Sequence, residues 1–269
     1  MFKPMAEKLP LLPECVKFIA TLLIHIAEAI VMYAGVQETN WIPRSFQQAA
    51  RNLAKEAVER FVRPNQIIGL GSGPMAAAIV REMANFDGKE TLECIPTSFQ
   101  IKLEAQCSGL KLVDEDKMAQ IDVVFDGADE VDDKFNMIKG GGGALLREKI
   151  VHSAARRIVI AAEARKFVLT FSWPVPIEIH PFAIHIVRKK LEDIDGRPKM
   201  RMLKEGYPYV TENGNFILDT SFDFPLDIRQ KEVELKNIAG VVEVGLFTKH
   251  ANAYYKAKED GSFETIENP

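Results

Sequence analysis

The order of apolar segments after residue 45 predicts an α/β fold: a parallel sheet with helices on both faces, joined to a smaller α+β domain. Three observations carry this expectation. Short apolar runs alternate with stretches of helical periodicity. The first such run ends in the glycine turn Gly71-Ser72-Gly73, which leads straight into a helix. Near Pro174 the pattern changes to short alternating strands with an Asn213-Gly214 turn signal.

Ahead of these elements lies an apolar segment, residues 14–34, in which Glu14, Lys17, Thr21, His25 and Glu28 share one stripe of a helix. Pro10 and Pro13 stand before its first turn, where proline is tolerated. Three readings stay open: a helix buried against the domain or a partner subunit, a helix lying on a membrane, and a spanning or signal-like segment. The length suffices for a bilayer. Lys17, His25 and Glu28 argue against a span, because each charge at mid-bilayer costs about 2.5–3.5 kcal/mol. Membrane contact of 14–34 is therefore not favoured over the buried helix. A chain started at Met32 would keep every element that follows.

Residues 40–44, with Pro43, read as a linker. Ser45 opens a helix over 46–61 that Pro64-Asn65 stops. A strand over 66–70, the glycine turn and a helix over 75–85 form the opening of a Rossmann-like unit. Further strands are predicted at 92–95, 110–112, 121–125 and 158–161, with a helix over 145–155. Beyond Pro174 come a strand at 175–179, a helix over 181–194, and a turn at Gly196-Arg197-Pro198. A hairpin of 209–211 with 216–219 follows, then a helix over 230–237 and a strand over 241–247. This βαββαβ-like run predicts a ferredoxin-like α+β domain, inserted before the tail returns to the first sheet. The expected organisation is an extension (1–44), a Rossmann-like catalytic domain (45–173 and 248–269) and a small domain (174–247).

Composition narrows the function classes. With 47% hydrophobic and 27% charged residues, the 269-residue chain reads as soluble and globular. A net charge of -4 and no long basic run argue against a nucleic-acid partner. Cys15, Cys94 and Cys107 show neither metal nor disulfide spacing, which fits a reducing, cytoplasmic setting. No histidine belongs to an HExxH or paired cluster, so His25, His152, His180, His185 and His250 read as structural or solvated and no metal site is expected.

Two loops carry the chemistry. In Lys139-Gly140-Gly141-Gly142-Gly143, a cation and bare backbone N–H groups meet the start of a helix, the local physics of an anion site. Asp126-Gly127-Ala128-Asp129-Glu130 follows an apolar strand, and catalytic groups in open α/β sheets gather at such carboxyl ends. Asp126 and Asp129 could equally cap the turn, and Glu148 could be a dipole-stabilising residue in its helix. Asp132 and Asp133 read as solvated, Arg147 and Lys149 as surface charges. Gly71-Ser72-Gly73 lacks a dinucleotide fingerprint, because Pro74 and Met75 follow where that motif runs on to a later glycine, and no cofactor is expected.

These blocks, with Leu146-Arg147-Glu148-Lys149, Pro176-Ile177-Glu178-Ile179, Gly196-Arg197-Pro198, Glu212 to Asp219 and Gly240 to Phe247, resemble the signature of type A ribose-5-phosphate isomerases, over about residues 46–266. The resemblance implies a metal-free interconversion of ribose 5-phosphate and ribulose 5-phosphate through an enediolate. It implies Glu148 as general base, Asp126 as acid/base for ring opening and hydroxyl protons, Lys139 as the cation at the enediolate oxygen, and Asp129 as a holder of sugar hydroxyls. Ser72, Gly73, Pro74, Met75, Gly127, Ala128, Gly140, Gly141 and Gly142 match substrate-contacting positions, as do Lys166 and Arg51. It further implies a homodimer or homotetramer. One block departs: Gly71-Ser72-Gly73-Pro74-Met75 stands where the family reads Gly-Thr-Gly-Ser-Thr. Two hydroxyls and one N–H are lost there, each worth about 1.5–3 kcal/mol toward a charged group. The alternative is thus a catalytically weak sugar-phosphate-binding or regulatory relative.

Overall fold

The computed structural model describes residues 42–224 and 227–267, so the apolar segment 14–34 lies outside the described residues. A 3-10 turn, Arg44–Phe46, leads into helix α1 (Gln47–Phe61), which buries Ala50, Leu53, Ala54, Ala57, Val58 and Phe61 along one face. Then follow β1 (Ile67–Leu70), α2 (Pro74–Met83), β2 (Glu93–Pro96), α3 (Phe99–Cys107), β3 (Lys111–Leu112) and β4 (Val123–Asp126). The two short strands β5 (Glu130–Val131) and β6 (Met137–Ile138), helix α4 (Leu145–Ala154) and β7 (Arg157–Glu163) complete this half. The chain returns at its end as β13 (Ala253–Ala257) and β14 (Phe263–Glu267).

These strands form a seven-stranded sheet in the order β14-β13-β7-β4-β1-β2-β3, with every neighbour pair parallel except β13 with β14. From β1 the chain moves outward through β2 and β3, then crosses back to place β4 on the other side of β1. The strand order reverses between β1 and β4, and ligands in such sheets bind outside the carboxyl ends at that reversal. The residues there are Gly71-Ser72-Gly73 after β1 and Asp126 at the end of β4. Parallel strands are buried on both faces, which is why Val123–Asp126 and most of β7 are buried throughout.

A second sheet is built from β8 (Val175–Ile179), α5 (Ile184–Glu192), β9 (Arg197–Met200), β10 (Phe216–Ser221), α6 (Ile228–Lys236) and β11 (Val241–Val244). Its order is β11-β8-β10-β9, all antiparallel. Counted within this segment that is 4-1-3-2, the split βαβ arrangement expected from the sequence. A third sheet, β12-β6-β5, uses β12 (Leu246–Phe247). From Ile42 on, the three sheets belong to one compact unit. Within it, one apolar cluster gathers Val175, Ile177, Val187, Leu218, Leu235 and Val244, while α1, α2 and the β1 face of the large sheet share another.

Several elements differ from the sequence expectation. Gly196-Arg197-Pro198 is not a plain turn: Arg197–Met200 is the edge strand beside β10. An edge strand tolerates Pro198 because one row of its N–H groups faces outward. The Asn213-Gly214 turn forms, with Gly214 N donating to Thr211 O at 2.9 Å. However, 209–211 touches β10 only at the Val210–Phe216 bridge, and β10 pairs mainly with β8 and β9. The apolar run 241–247 is two strands in different sheets, broken at Gly245. Its N–H donates to Pro176 O at 2.7 Å and its carbonyl accepts from Lys139 N at 2.9 Å. A Cβ there would lie 2.4 Å from the Lys139 carbonyl, so only glycine lets this crossing approach the lysine. Helix α3 has no apolar periodicity that predicts it; Ser98 caps it by accepting from Ile101 N.

Candidate active site

The switch point brings together three side chains that the sequence leaves apart. Asp126, Lys139 and Glu148 are all buried. Lys139 Nζ lies 3.0 Å from Asp126 Oδ2 and 3.1 Å from Glu148 Oε2, and it donates to Gly127 O at 2.6 Å. Each arrives by a different element. Asp126 ends β4, Lys139 follows β6, and Glu148 sits in the first turn of α4 after the glycine run.

Asp126 is held from four directions. Its Oδ1 accepts from Ser72 N at 3.1 Å and Gly127 N at 2.7 Å. Its Oδ2 meets Lys139 and lies 2.8 Å from His152 Nε2. Gly71 makes this possible, because a Cβ there would fall 2.0 Å from Asp126 Cγ. Burial by itself would raise the Asp126 pKa, but Lys139 and the hydrogen bond from His152 outweigh it, and the carboxyl lies below its ordinary range. Burial also opposes the charge of Lys139, yet Asp126 and Glu148 hold it above the ordinary lysine value.

Glu148 behaves oppositely. Burial, then the nearby Asp126 charge, push its pKa up to about 8, against the pull of Lys139. Two buried carboxylates share one ammonium, so the less hydrogen-bonded one keeps the proton. Glu148 Oε2 lies within ion-pair range of Lys139 but has no hydrogen-bond partner. One fixed anion, one fixed cation and one carboxyl poised near neutrality make an acid–base pair of groups whose environments push their pKa values apart.

The remaining expected residues fall into two groups. Around the triad, Asp129 accepts from Gly141 N at 2.7 Å, and Lys166 donates to Ala128 O at 3.0 Å. Gly140 has a positive φ of 100° and packs against Leu145, while Gly142 faces open space. Arg201, just after β9, donates to the carbonyls of Gly140 and Gly141 at 2.8 and 3.1 Å, and Tyr209 to that of Gly142 at 3.1 Å. This fixes the glycine run. On the other side, Ser72 and Gly73 form the β1–α2 turn, and Pro74 is the first residue of α2. The Met75 side chain points into the core at 4% exposure, so only its backbone faces the turn. Arg51 is exposed on α1 and takes no part in the bonding around the triad.

Sequence reasoning missed five contributors. Thr97 and Ser98 place their hydroxyls 3.0 Å from Ser72 Oγ. His152 had a readable signal, since it stands four residues after Glu148 and so on the same helix face. Lys149, read as a surface charge, is instead largely buried, tying α4 to Glu232, Glu243 and the carbonyls of Val244 and Leu246. Asp132, read as solvated, is buried and accepts from the N–H groups of Lys134 and Asn136. Among the described residues, no group of three or more His, Cys, Asp or Glu side chains could hold a metal ion, and no helix is long and apolar enough to cross a membrane.

Comparisons with known proteins identify the family to which the chain is similar. Residues 93–261 match the family model for ribose 5-phosphate isomerase A (phosphoriboisomerase A). The ribose-5-phosphate isomerase of Homo sapiens is 40% identical over 231 residues, covering 83% of this chain and 74% of the relative. Ribose-5-phosphate isomerase A of Thermosynechococcus vestitus is 40% identical over 212 residues, covering 77% and 89%. Among solved structures, ribose 5-phosphate isomerase A of Methanocaldococcus jannaschii superposes with a TM-score of 0.77 at 34% identity, covering 82% of this chain and 99% of that one. A D-ribose-5-phosphate isomerase in complex with phospho-erythronic acid gives a TM-score of 0.77 at 32% identity, covering 83% and 99%. With the family model spanning the acidic loop, the glycine run and Glu148, and relatives 40% identical over most of their length, this chain belongs to the ribose 5-phosphate isomerase A family.

Proposed function

We propose that this chain interconverts ribose 5-phosphate and ribulose 5-phosphate through an enediolate, with Glu148 as the base. The observation that carries the reading is the buried trio at the switch point, in which only Glu148 has a pKa near working pH. From the open-chain aldose, Glu148 takes the C2 proton and returns it to C1 of the planar intermediate. Charge that develops on the O1 oxygen is met by Lys139, a cation already fixed and desolvated. O1 takes up a proton to become the ketose hydroxyl and the O2 hydroxyl gives one up as C2 becomes the carbonyl, so one hydroxyl proton passes from O2 to O1 overall. Asp126 carries four donors and no proton, so we assign it first to holding Lys139 and second to receiving hydroxyl protons. Asp129 and Lys166 flank the same loop and suit the sugar hydroxyls. The test is a coupled assay of the purified full chain with ribose 5-phosphate; no formation of ribulose 5-phosphate would overturn the reading.

The phosphate grip needs a substitute for the hydroxyls absent at Pro74 and Met75. Ser72 and Ser98 supply two hydroxyls beside the start of α2, while Thr97 donates its proton to Leu70 O and backs Ser72, and helix starts favour anions. This favours an active enzyme over the weakly catalytic alternative. One solved relative holds phospho-erythronic acid, and a phosphorylated sugar fits the same chemistry here.

The pH profile follows from the trio. The base must be ionised, and Glu148 is protonated below about 8 in the free enzyme. The kcat/KM value for the aldose should therefore rise with pH and level off above about pH 8. Lys139 adds no alkaline fall in this range, because its pKa lies above the ordinary lysine value. Initial rates across about pH 6 to about pH 9.5 check this; a profile flat across that range would contradict a raised Glu148.

We further read residues 45–173 with 248–269 as the catalytic module and 174–247 as a module that braces its glycine run through Arg201 and Tyr209. Exposed Phe182, in the 3-10 turn before α5, and exposed Ile186, on α5, support a homodimer or homotetramer, and light scattering at the mass of a single chain would refute it. Free Cys94 and Cys107 support a reducing compartment such as the cytoplasm, which fractionation of the source cells would check.

A further inference from the structure

The Asp126 carboxylate has a donor that the reaction itself does not require. His152 leaves α4 one turn after Glu148, and its Nε2 lies 2.8 Å from Asp126 Oδ2. The imidazole is buried, with its ring edge-on to Phe247 at 5.3 Å between centroids. An ionised carboxylate can only accept, so Nε2 must carry the hydrogen. Nδ1 is buried without any partner. A second N–H there would be an unsatisfied buried donor on a cation, whereas a bare lone pair costs far less. The geometry therefore selects the neutral ring protonated at Nε2.

The charged groups around the ring agree. Asp126 faces it from β4, Lys139 from the end of β6, and Glu148 lies a turn earlier on α4. Lys249, after β12, donates to the His152 carbonyl at 2.7 Å. Burial lowers the His152 pKa, Asp126 opposes this, and Lys139 and Lys249 reinforce it.

We propose, on the basis of the isomerase reading above, that His152 is a positioning residue: its Nε2–H fixes the same Asp126 oxygen that meets Lys139 and so keeps Lys139 shared between Asp126 and Glu148. Without this donor, Asp126 draws Lys139 toward itself and away from Glu148. Glu148 then loses part of the attraction of Lys139 and ionises at a higher pH. The intermediate's oxygen also meets a less well placed ammonium. Substrate phosphate and hydroxyl contacts are unaffected, so the effect belongs in kcat rather than KM.

The experiment compares His152→Leu with His152→Gln in the full chain, because a glutamine amide can still donate to Asp126. His152→Leu should lower kcat about tenfold with KM within about twofold, and move the acid limb of kcat/KM to higher pH. His152→Gln should recover kcat to within about threefold and return the limb toward its original position. In wild type, nitrogen NMR of the imidazole should show one protonated and one bare nitrogen from about pH 5.5 to about pH 8.5. Unchanged kcat and acid limb in His152→Leu would overturn the proposal, as would a Gln variant no better than Leu. Should the leucine variant fail to fold, the glutamine variant and the NMR still decide: a doubly protonated ring, or one protonated only at Nδ1, overturns it. A Glu148→Gln control separates the two readings. If that variant keeps turnover, the base assignment fails whatever His152 does.

Discussion

Glu148→Gln should retain the fold and lose about 10²–10⁴-fold in kcat, with KM little changed. The side chains are nearly isosteric, and Glu148 is protonated in the free enzyme up to about pH 8, so a neutral amide replaces a neutral acid. What disappears is the ability to accept the C2 proton. The same variant carries a stability signature. The Glu148 pKa is raised in the folded state above its unfolded value, so its stabilising contribution is complete below the unfolded pKa, near 4.5, and is lost as pH rises through about 8. Glutamine cannot ionise. Glu148→Gln should therefore gain stability relative to wild type as pH rises from about 5 to about 9. Stopped-time assays of ribulose 5-phosphate formation and thermal melts at both ends of that range test the two halves. Wild-type-like turnover would remove Glu148 from the role of base.

The elements that position this site were largely legible, and what was not has identifiable causes. Asp126, Lys139, Asp129 and Glu148 could be singled out because each stands at a punctuation mark: the end of an apolar strand, a glycine run, or a first helical turn. Their meeting could not be read, because it depends on β6 pairing with β12 from a segment more than a hundred residues later. The run 241–247 reads as one strand because Gly245 alone does not reveal that the chain changes sheets. Lys149 reads as a surface charge because neighbouring charges on a helix usually are. Its burial follows from α6 and β11 supplying Glu232 and Glu243, both far away in sequence. Met75 shows the opposite limit. Position within the loop suggested a substrate contact, but the first turn of α2 points that side chain into the core. His152 was within reach, since its offset from Glu148 matches one helical turn, but an isolated histidine gives no reason to look there until Asp126 is in place.

Replacing Lys139 by methionine should be the most damaging single change, and in a way that separates structure from chemistry. Methionine fills much the same volume, so the loss is chiefly electrostatic. Removing the ammonium leaves Asp126 and Glu148 buried with no cation between them. Breaking a buried pair by removing one partner typically costs about 3–5 kcal/mol. The cost depends on pH with a definite sign. In wild type, the folded Asp126 pKa is lowered, so its contribution is present above the unfolded pKa and is lost as pH falls through the folded one. Without Lys139, burial dominates and the folded pKa of Asp126 rises, as that of Glu148 already has. Both carboxyls then favour the folded state only when protonated. The deficit relative to wild type should be smallest near about pH 4.5 and grow as pH rises toward about 9. Turnover should fall by about 10²–10³-fold or more even where the variant is mostly folded, because no other buried cation in the described site can face the intermediate's oxygen. Thermal melts across that pH range, paired with assays at a pH where the variant is folded, measure the two effects independently. An equal deficit at both ends would mean that Lys139 is not the charge that holds the two carboxylates together.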